Sequence, residues 1–444
     1  MSIAGPLADA PPRYTAPGMK NHAPGKREIE AAFTQLDVEQ YALPEQLEST
    51  LITPALVIYL DVVRRNVAEI LRVCGGDADR WRPHCKTTKT RVVYAELARA
   101  GVQQFKCATT READVLASVL LAEGVAGGDI LVAYPLVGPG LARLQQVADK
   151  LSGSVTFSVL CETAEAAAKL TGSNLGYFVD INPGMHRTGM ALEAAESGEL
   201  LSLVAANAEG FRGLHFYDGH AARWGEQAER QQALHELYER LLALDASLSA
   251  AGMHAGELIT AGTPALTSSM AHEGLAATKR HRVSPGTVVF HDYQYDLISA
   301  DLNLEPAAIV LSTVVSHPCS DIFTLDAGSK ALAAESGHPM AYILGSPEFE
   351  PILPSEEHLP VHARGNARPA HGDVKYLVPR HVCPTVNAHE GALVMDRDES
   401  GELFALGFVE IEARAHDWGE VQRPNVFTER KAYGYNLEDT KESA

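Results

Sequence analysis

Three basic side chains alternate in the segment RWRPHCKTTKT, residues 80–90. A two-residue period places Arg82, His84 and Lys86 on one face of an extended strand. Desolvation and neighbouring positive charges lower the pKa of a lysine towards neutrality, and an uncharged lysine is a nucleophile towards carbonyl groups. Lys86 is therefore a candidate Schiff-base residue. An ion pair between Lys86 and a nearby acidic side chain is the alternative that this segment leaves open.

A second pair of reactive side chains lies in VPRHVCPTVN, residues 378–387. His381 and Cys383 are two residues apart, so on a strand they would face the same side. Imidazole and thiolate are ligands that suit Zn²⁺, and two protein ligands would leave positions open for water and substrate. A buried histidine beside an inert cysteine is the ordinary alternative for so short a motif.

The elements that would position these residues follow a repeated order. From residue 52 onward, short β-branched runs alternate with amphipathic segments that end in glycine. This order predicts an α/β fold with a (β/α)₈ TIM-like barrel over residues 51–300, in which Lys86 ends a strand on the active-site face. A doubly wound open sheet is the rival, but no GxGxxG follows the first strand. The eight candidate strands are PALVIYLD, WRPHCK, QFKCAT, DILVAYP, VTFSVL, LGYFVDI, FRGLHFYD and ELITAGTP.

The regions on either side of the predicted barrel have different patterns. Beyond residue 300, short alternating runs separated by Gly, Pro and Asp predict a mostly antiparallel β domain over residues 301–444, which carries the metal pair. Within it we expect a long proline-rich loop between Ser336 and Asp373. Residues 1–50 predict an N-terminal arm that is partly mobile and becomes helical around REIEAAFTQL.

Composition narrows the possible partners. The 444-residue chain has a formal net charge of −20, which argues against nucleic acid or an anionic membrane surface as partner. No run approaches the roughly 18 apolar residues that span a bilayer, and the N-terminus does not resemble a secretory signal. Six cysteines without CxxC spacing predict a reducing, cytoplasmic location. We therefore expect a small-molecule substrate.

Ten short segments occur in the order found in the D-threonine aldolase and D-serine dehydratase family: RPHCKTTK, FKCATTREA, DILVAYPLVGP, VDINPGMHRTG, HFYDGH, AGTP, SPGTVVFHD, LDAGSKAL, SEEH and HVCPTVN. The chain thus resembles the fold-type III, alanine-racemase-like pyridoxal phosphate enzymes over about residues 50–425. The resemblance implies a barrel followed by a β domain. It also implies pyridoxal 5'-phosphate and a divalent metal as cofactors, an amino-acid substrate and a homodimer.

The resemblance assigns roles to individual residues. Lys86 would hold the cofactor, Arg187 would face its pyridine nitrogen, and Tyr217 would stack near its ring. An arginine keeps its proton, so it would leave the ring nitrogen unprotonated and weaken the electron sink. The cations of the basic segment would then surround the dianionic cofactor. Glycine-containing turns after late barrel strands would bind the phosphate, through Ala261, Gly262, Thr263, Gly286 and Thr287.

The resemblance also implies a lyase that acts on a D-3-hydroxy amino acid. The family's dehydratases carry His and Cys at the metal, whereas its aldolases more often carry His and Asp. His381 and Cys383, with Zn²⁺ or alternatively Mn²⁺ or Mg²⁺, therefore favour a D-serine-type dehydratase that forms a 2-oxo acid and ammonia. A D-threonine-type aldolase, which forms glycine and an aldehyde, is the alternative. An amino-acid racemase, which needs a second base and no metal, is a further one.

One position departs from the family pattern. The family usually has a histidine two residues after the cofactor lysine, where this chain has Thr88. Lys86 or another histidine, such as His220 or His358, would then have to move protons in its place.

Overall fold

The computed structural model describes residues 36, 38–223, 227–296, 302–365 and 368–417. Most of the predicted N-terminal arm, including its helix apart from residue 36, lies outside the described residues. The described part of the arm contains a 3-10 turn at Val38–Gln40 and one short helix.

The described chain alternates helices and strands up to residue 283 and is mostly strand beyond residue 308. Even the longest described helix, with 24 residues, does not combine the length and apolarity needed to cross a membrane. The helices are α1 Glu45–Glu48, α2 Leu60–Val73, α3 Arg91–Arg99, α4 Thr110–Ala122, α5 Gly138–Lys150, α6 Ala164–Ala168, α7 Leu192–Ala194, α8 Leu200–Ala206, α9 Gln227–Ala250, α10 Leu266–Met270, α11 Glu273–Ala277, α12 Tyr293–Asp296 and α13 Val382–Ala388. The strands are β1 Ala55–Tyr59, β2 Gln104–Cys107, β3 Gly128–Val132, β4 Val155–Cys161, β5 Leu175–Asn182, β6 Met190–Ala191, β7 Phe211–Phe216, β8 Glu257–Thr260, β9 His281–Val283, β10 Ala308–Cys319, β11 Ile322–Leu325, β12 Ala341–Ile343, β13 Phe349–Pro351, β14 Leu359–Ala363, β15 Val374–Pro379, β16 Gly391–Arg397 and β17 Leu403–Glu410.

A TIM-like barrel forms the first layer of the structure. Strands β2, β3, β4, β5, β7, β8 and β9 are parallel neighbours in that order, and β6 pairs with the end of β5. Residues 81–84, the first barrel segment, connect the two ends of this sheet. Trp81 forms a parallel bridge with Val283, and His84 forms one with Lys106. Pro83 has no N–H to donate, which limits the regular ladder that this segment can form. The predicted fold class is confirmed.

The prediction of the first barrel strand was wrong. PALVIYLD, residues 54–61, supplies β1, which lies in the second sheet between β10 and β16. Four of its five strand residues are buried, and an apolar run of this kind fits a central strand of either sheet. The eighth barrel strand is instead β9, whose three residues are too few to show a periodic pattern.

The second sheet has nine strands and is mostly antiparallel, as predicted. Its order is β13-β14-β11-β10-β1-β16-β17, and β15 pairs with both β10 and β12. Among its pairings only β1 with β16 is parallel. Because β1 precedes the barrel in the chain, the second sheet takes a central strand from the N-terminal side of the barrel sequence.

The prediction of a long proline-rich loop between Ser336 and Asp373 was also wrong. Three short strands, β12, β13 and β14, lie within it. Pro351 ends β13, an edge strand, while Pro360 within β14 accepts a hydrogen bond from the Ile352 N–H at 2.9 Å. Prolines are compatible with strands where their missing N–H is not required, so these prolines did not exclude strands.

Arg82 anchors the first barrel segment inside the barrel. Its side chain is fully buried, with Nη2 at 2.7 Å from Glu257 Oε1 and Nη1 at 2.9 Å from Asp129 Oδ1. Nη1 also donates to the Phe105 carbonyl at 3.1 Å. This corrects the expectation that Arg82 helps to surround the cofactor, because two carboxylates already neutralise its charge. Burial and ion pairing tie the segment to β3 and β8.

Replacing Arg82 should destabilise the protein strongly. Arg82→Gln removes the fully buried cation that Glu257 and Asp129 share, and breaking a buried pair in this way costs about 3–5 kcal/mol of unfolding free energy, although Arg212 still pairs with Asp129. The measurement is urea denaturation followed by circular dichroism. Arg72→Gln, which removes an exposed ion pair with Glu69, is the control and should leave the midpoint unchanged. Equal midpoints for the two variants would contradict the anchoring role.

Candidate active site at the C-terminal ends of the barrel strands

The predicted cofactor residues all follow the C-terminal ends of barrel strands. Lys86 comes directly after the first barrel segment, Arg187 follows β5, and Tyr217 follows β7. The two glycine turns, at 261–263 and 286–287, follow β8 and β9. Parallel barrel strands open their C-terminal ends on one face, so the topology collects these residues there.

Lys86 lies in the turn that ends the first barrel segment. The residue is partly exposed, and its backbone N–H lies 3.5 Å from His84 Nδ1. Among the ion pairs of the described residues, none includes Lys86. By contrast, the buried Lys89 three residues later pairs with Glu112 at 2.5 Å. The described part of the chain therefore gives Lys86 no carboxylate at ion-pair distance.

Cations and uncharged bases surround Lys86. Burial, followed by the charges of Lys86 and Lys106, holds the pKa of His84 well below its usual value. Burial, followed by Lys86 and Arg187, lowers the pKa of Lys106 to about 7. The local surroundings are thus electropositive although the whole chain is acidic, and such a site favours an anionic ligand.

The ring of Tyr217 is packed between cations and glycine backbone. The Arg187 guanidinium carbon lies 4.6 Å from the ring centroid, within cation–π range. A side chain at Gly219 would have its Cβ 2.2 Å from the Tyr217 hydroxyl oxygen, and one at Gly262 would lie 3.2 Å from the ring. These two glycines allow the backbone to approach the ring closely.

Each glycine turn leads into a short 3-10 turn. The first N–H groups of a 3-10 turn have no hydrogen-bond partner within it. These turns are Thr263–Ala265 and Thr287–Val289. An ideal Cβ at Gly286 would lie only 2.3 Å from the His84 carbonyl oxygen, so this position needs a glycine. Such close backbone with free amides is the usual form of a phosphate cradle.

Asp218 occupies part of the predicted phosphate site. The amides of Ala261 and Gly262 donate to its carboxylate at 3.2 and 3.0 Å. The Tyr238 hydroxyl donates to the same carboxylate at 2.6 Å, and burial raises the pKa of Asp218. Two of the predicted phosphate donors, the amides of Ala261 and Gly262, thus have a carboxylate partner in this structure. The amides and hydroxyls of Thr263 and Thr287 remain as predicted phosphate donors.

The predicted metal pair lies at a strand-to-helix junction. His381 is the extended residue before α13, and Cys383 is the second residue of that helix, so the expectation of a single strand was wrong. Pro384 follows in the first helical turn, where a missing N–H is tolerated. Cys383 Sγ lies 3.1 Å from Thr87 Oγ1 and 3.5 Å from Thr287 Oγ1. The pair therefore reaches the residue next to Lys86.

His381 and Cys383 polarise each other. Burial opposes charge on both, but Cys383, Asp292 and Glu335 raise the pKa of His381 to about 9, and His381 lowers the pKa of Cys383. Glu335 contacts His381 Nδ1, which leaves Nε2 for a metal. Within the described residues no group of three His, Cys, Asp or Glu side chains could hold a metal. A metal here would have two protein ligands, and a thiolate is the form that binds one.

The positions considered for proton transfer differ in their surroundings. Thr88 is buried, with its hydroxyl 3.4 Å from the Cys85 carbonyl oxygen. His220 is buried, and burial lowers its pKa to about 4. His358 is exposed, and its Nδ1 lies 3.4 Å from Ser355 Oγ.

Sequence reasoning missed Lys106 and Asp218. Lys106 is the one charged residue of the strand QFKC, and Asp218 stands between a strand and a glycine. A charged residue in a barrel strand is rarely buried without a purpose, and this signal could have identified Lys106.

Two family models match the chain. The model described as "Alanine racemase, N-terminal domain" covers residues 58–294, and the one described as "Putative serine dehydratase domain" covers residues 307–395. The D-threonine aldolase of an Arthrobacter species is 31% identical over 373 residues, which cover 80% of this chain and 93% of that protein. The D-threo-3-hydroxyaspartate dehydratase of a Delftia species is 27% identical over 296 residues, 65% of this chain and 74% of that protein.

Solved structures share the architecture. The crystal structure of D-threonine aldolase from Filomicrobium marinum superimposes with a TM-score of 0.71 at 25% identity, over 82% of this chain and 96% of that one. Its likeness thus extends over both sheets.

The site residues fit pyridoxal phosphate. Lys86 and Arg187 have no ion-paired carboxylate among the described residues, so their positive charge is available to a dianionic cofactor. Gly286 lets the second glycine turn pack against the His84 carbonyl, which a Cβ would meet at 2.3 Å, and backbone amides at turns of this kind can bind a phosphate group.

A side chain at Gly286 should impair cofactor binding. The Cβ of Gly286→Ala would overlap the His84 carbonyl and push the turn away from the first barrel segment. We expect the dissociation constant of pyridoxal phosphate to rise at least about tenfold, as for a lost charge-assisted contact. Titration of the apoprotein with the cofactor measures this constant. Gly140→Ala, where the new Cβ would make an ordinary 3.5 Å contact, is the control. Equal affinities in both variants would exclude a phosphate cradle at Gly286.

Proposed function

The chain belongs to the fold-type III, alanine-racemase-like family of pyridoxal phosphate enzymes, as a lyase of D-3-hydroxy amino acids, and we propose that its reaction is the dehydration of a D-serine-type substrate. The products are a 2-oxo acid and ammonia. The observation that carries this proposal is the contact of Cys383 Sγ with Thr87 at 3.1 Å, which sets the His–Cys pair beside the cofactor lysine.

The proposed roles on the cofactor side follow from charge and geometry. Lys86 would hold the cofactor through its amine, while the turns at Thr263 and Thr287 would bind the phosphate. Arg187 and Tyr217 would pack against the ring, since these two side chains already lie 4.6 Å apart. Pyridoxal phosphate, when bound, supplies a sink for the electron pair left at the substrate's Cα.

On the substrate, Lys86 would remove the Cα proton once its amine is free. Lys86 follows the first barrel segment, and the Arg82 ion pairs inside the barrel hold that segment in place. His84, held neutral by burial and the adjacent cations, would not compete as a cation for the substrate carboxylate.

The proposed metal role belongs to His381 and Cys383. They would hold a divalent ion, Zn²⁺ or alternatively Mn²⁺ or Mg²⁺, which supplies Lewis acidity at the substrate's β-hydroxyl. Glu335 orients His381 from behind by its contact with Nδ1. With the hydroxyl so activated, loss of the Cα proton and of hydroxide from Cβ forms water. Hydrolysis of the resulting enamine gives the oxo acid and ammonia.

Retro-aldol cleavage is the second candidate. A divalent ion held by the same two residues would lower the pKa of the β-hydroxyl, and loss of the hydroxyl proton would lead to cleavage of the Cα–Cβ bond. The 31% identity with a D-threonine aldolase favours this reaction. The buried Thr88 at the position of the expected histidine counts against it, because a threonine hydroxyl cannot replace imidazole as a base.

Two further features, the location and the oligomeric state, are proposed from cysteine chemistry and symmetry. All six cysteines are free, and five of them are buried, which supports a reducing cytoplasm as location. A homodimer is proposed because closed two-fold assemblies are the commonest among soluble enzymes.

Product analysis decides between the two reactions. The substrates to test are D-serine, D-threonine and 3-hydroxy-D-aspartate. We expect at least one of them to yield a 2-oxo acid and ammonia. Activity should fall at least about 100-fold after chelation and return with Zn²⁺ or Mn²⁺, because the ion stabilises the leaving hydroxide. Coupled dehydrogenase assays and mass spectrometry measure the products.

A pair of cysteine variants provides the control for the metal. Cys383→Ala should lose both bound metal and activity, whereas Cys319→Ala, at an exposed free cysteine, should keep both. Glycine and aldehyde as products would replace dehydration by aldol cleavage. Full activity of metal-free protein would refute the role of His381 and Cys383.

A further inference from the structure

Lys106 on β2 is buried at the centre of the barrel and has no assigned role in proton transfer. Its residue is 2% exposed, and its Nζ lies 3.3 Å from His215 Nε2 and 5.8 Å from the Tyr217 ring centroid. No ion pair among the described residues includes Lys106. A buried lysine in such surroundings shifts its pKa readily and can act as a base.

His215 and Asp180 hold the Lys106 amine in a defined orientation. His215 Nδ1 lies 2.6 Å from Asp180 Oδ1, and the Thr188 hydroxyl donates to Asp180 Oδ2 at 2.7 Å. Burial would raise the pKa of Asp180, but His215 and Thr188 outweigh it, so Asp180 is a carboxylate. Burial and Lys106 lower the pKa of His215, so its ring is neutral with the proton on Nδ1. Nε2 therefore accepts a hydrogen bond from Lys106.

The groups that face Lys106 place its ionisation near neutrality. Burial, Lys86 and Arg187 lower its pKa, and Asp218 and Asp180 raise it, with a resulting pKa of about 7. Among the other titratable neighbours, His84 and His215 are both held neutral, and the Tyr217 ring centroid lies 5.8 Å from Lys106 Nζ. At neutral pH the amine thus exists in both protonation states, which is the condition for efficient general acid–base catalysis.

We propose that Lys106 is a second proton-transferring residue of this site and takes over the proton that Lys86 removes from the substrate's Cα. The inference rests on the proposed function, since it assumes that Lys86 is the first base. In the transfer, an N–H bond of the Lys86 ammonium breaks and an N–H bond of the Lys106 amine forms. The proton then leaves with the hydroxide released from Cβ as water, or returns to Cα.

Such a transfer answers a chemical need of the site. Lys86 cannot act as a nucleophile again while its amine carries the proton from Cα. The neutral Lys106 amine accepts it, and His215, backed by the Asp180 carboxylate, stabilises the new ammonium through the 3.3 Å contact.

The test is hydrogen exchange at Cα of D-alanine, followed by ¹H NMR of the holoenzyme in ²H₂O. D-alanine has no β-hydroxyl, so it undergoes neither elimination nor aldol cleavage, and exchange reports proton transfer alone. For the unmodified enzyme we expect the exchange rate to rise with pH through about 7, as Lys106 loses its proton.

Lys106→Gln should slow the exchange at pH 7 roughly 100-fold and remove the pH step, at unchanged cofactor content. Lys150→Gln, the same change at an exposed lysine, should have no effect. A Lys106→Gln enzyme that exchanges at the unmodified rate with the same pH step would overturn the proposal.

Asp180→Asn supplies a second variant that retains Lys106. Because the Asp180 charge raises the pKa of Lys106, its removal should move the pH step to lower pH. An unmoved step would show that the titrating group is not Lys106 and would overturn the proposal. If the unmodified enzyme exchanges no Cα proton at any pH, the proposed function itself fails, and this outcome is distinct from a failure of Lys106 alone.

Discussion

The buried contact of Arg82 with Asp129 and Glu257 is the constraint on which the rest of the site depends. It fixes the first barrel segment between β9 and β2. Among the described residues, this segment forms one isolated backbone bridge to each of these two strands. Lys86 lies two residues beyond the end of that segment, and Gly286 packs directly against the His84 carbonyl. A shift of this segment would therefore move both Lys86 and the second glycine turn.

The same contact explains how an acidic chain builds an electropositive site. Arg82 is neutralised within the barrel, so the charge available to a ligand comes from Lys86, Lys106 and Arg187 above it. The carboxylates nearest to these cations have other partners: Asp180 bonds to His215 and Thr188, and Asp218 bonds to Tyr238 and two amides. The acidic residues in this region thus orient the bases rather than cancel the cations.

Sequence patterns predicted the fold class because each barrel unit repeats a short apolar run and an amphipathic helix. They misassigned β1 because a buried run of five residues fits either sheet, and they missed β9 because three residues show no period. Motifs predicted Lys86, Tyr217, the two turns and the His–Cys pair as site residues, and these assignments stay predictions. The two carboxylate partners of Arg82, and the carboxylate of Asp218 against the first glycine turn, depend on contacts between distant segments, which local spacing does not contain.

The most direct measurement of the central claim is the identity of the lysine that carries the cofactor. Borohydride reduction makes the bond between pyridoxal phosphate and its lysine permanent, and peptide mapping by mass spectrometry then locates it. The structure predicts the modification at Lys86, in the peptide that follows Arg82. Modification at Lys106 or Lys89 instead, or none at all, would contradict the assignment of this site.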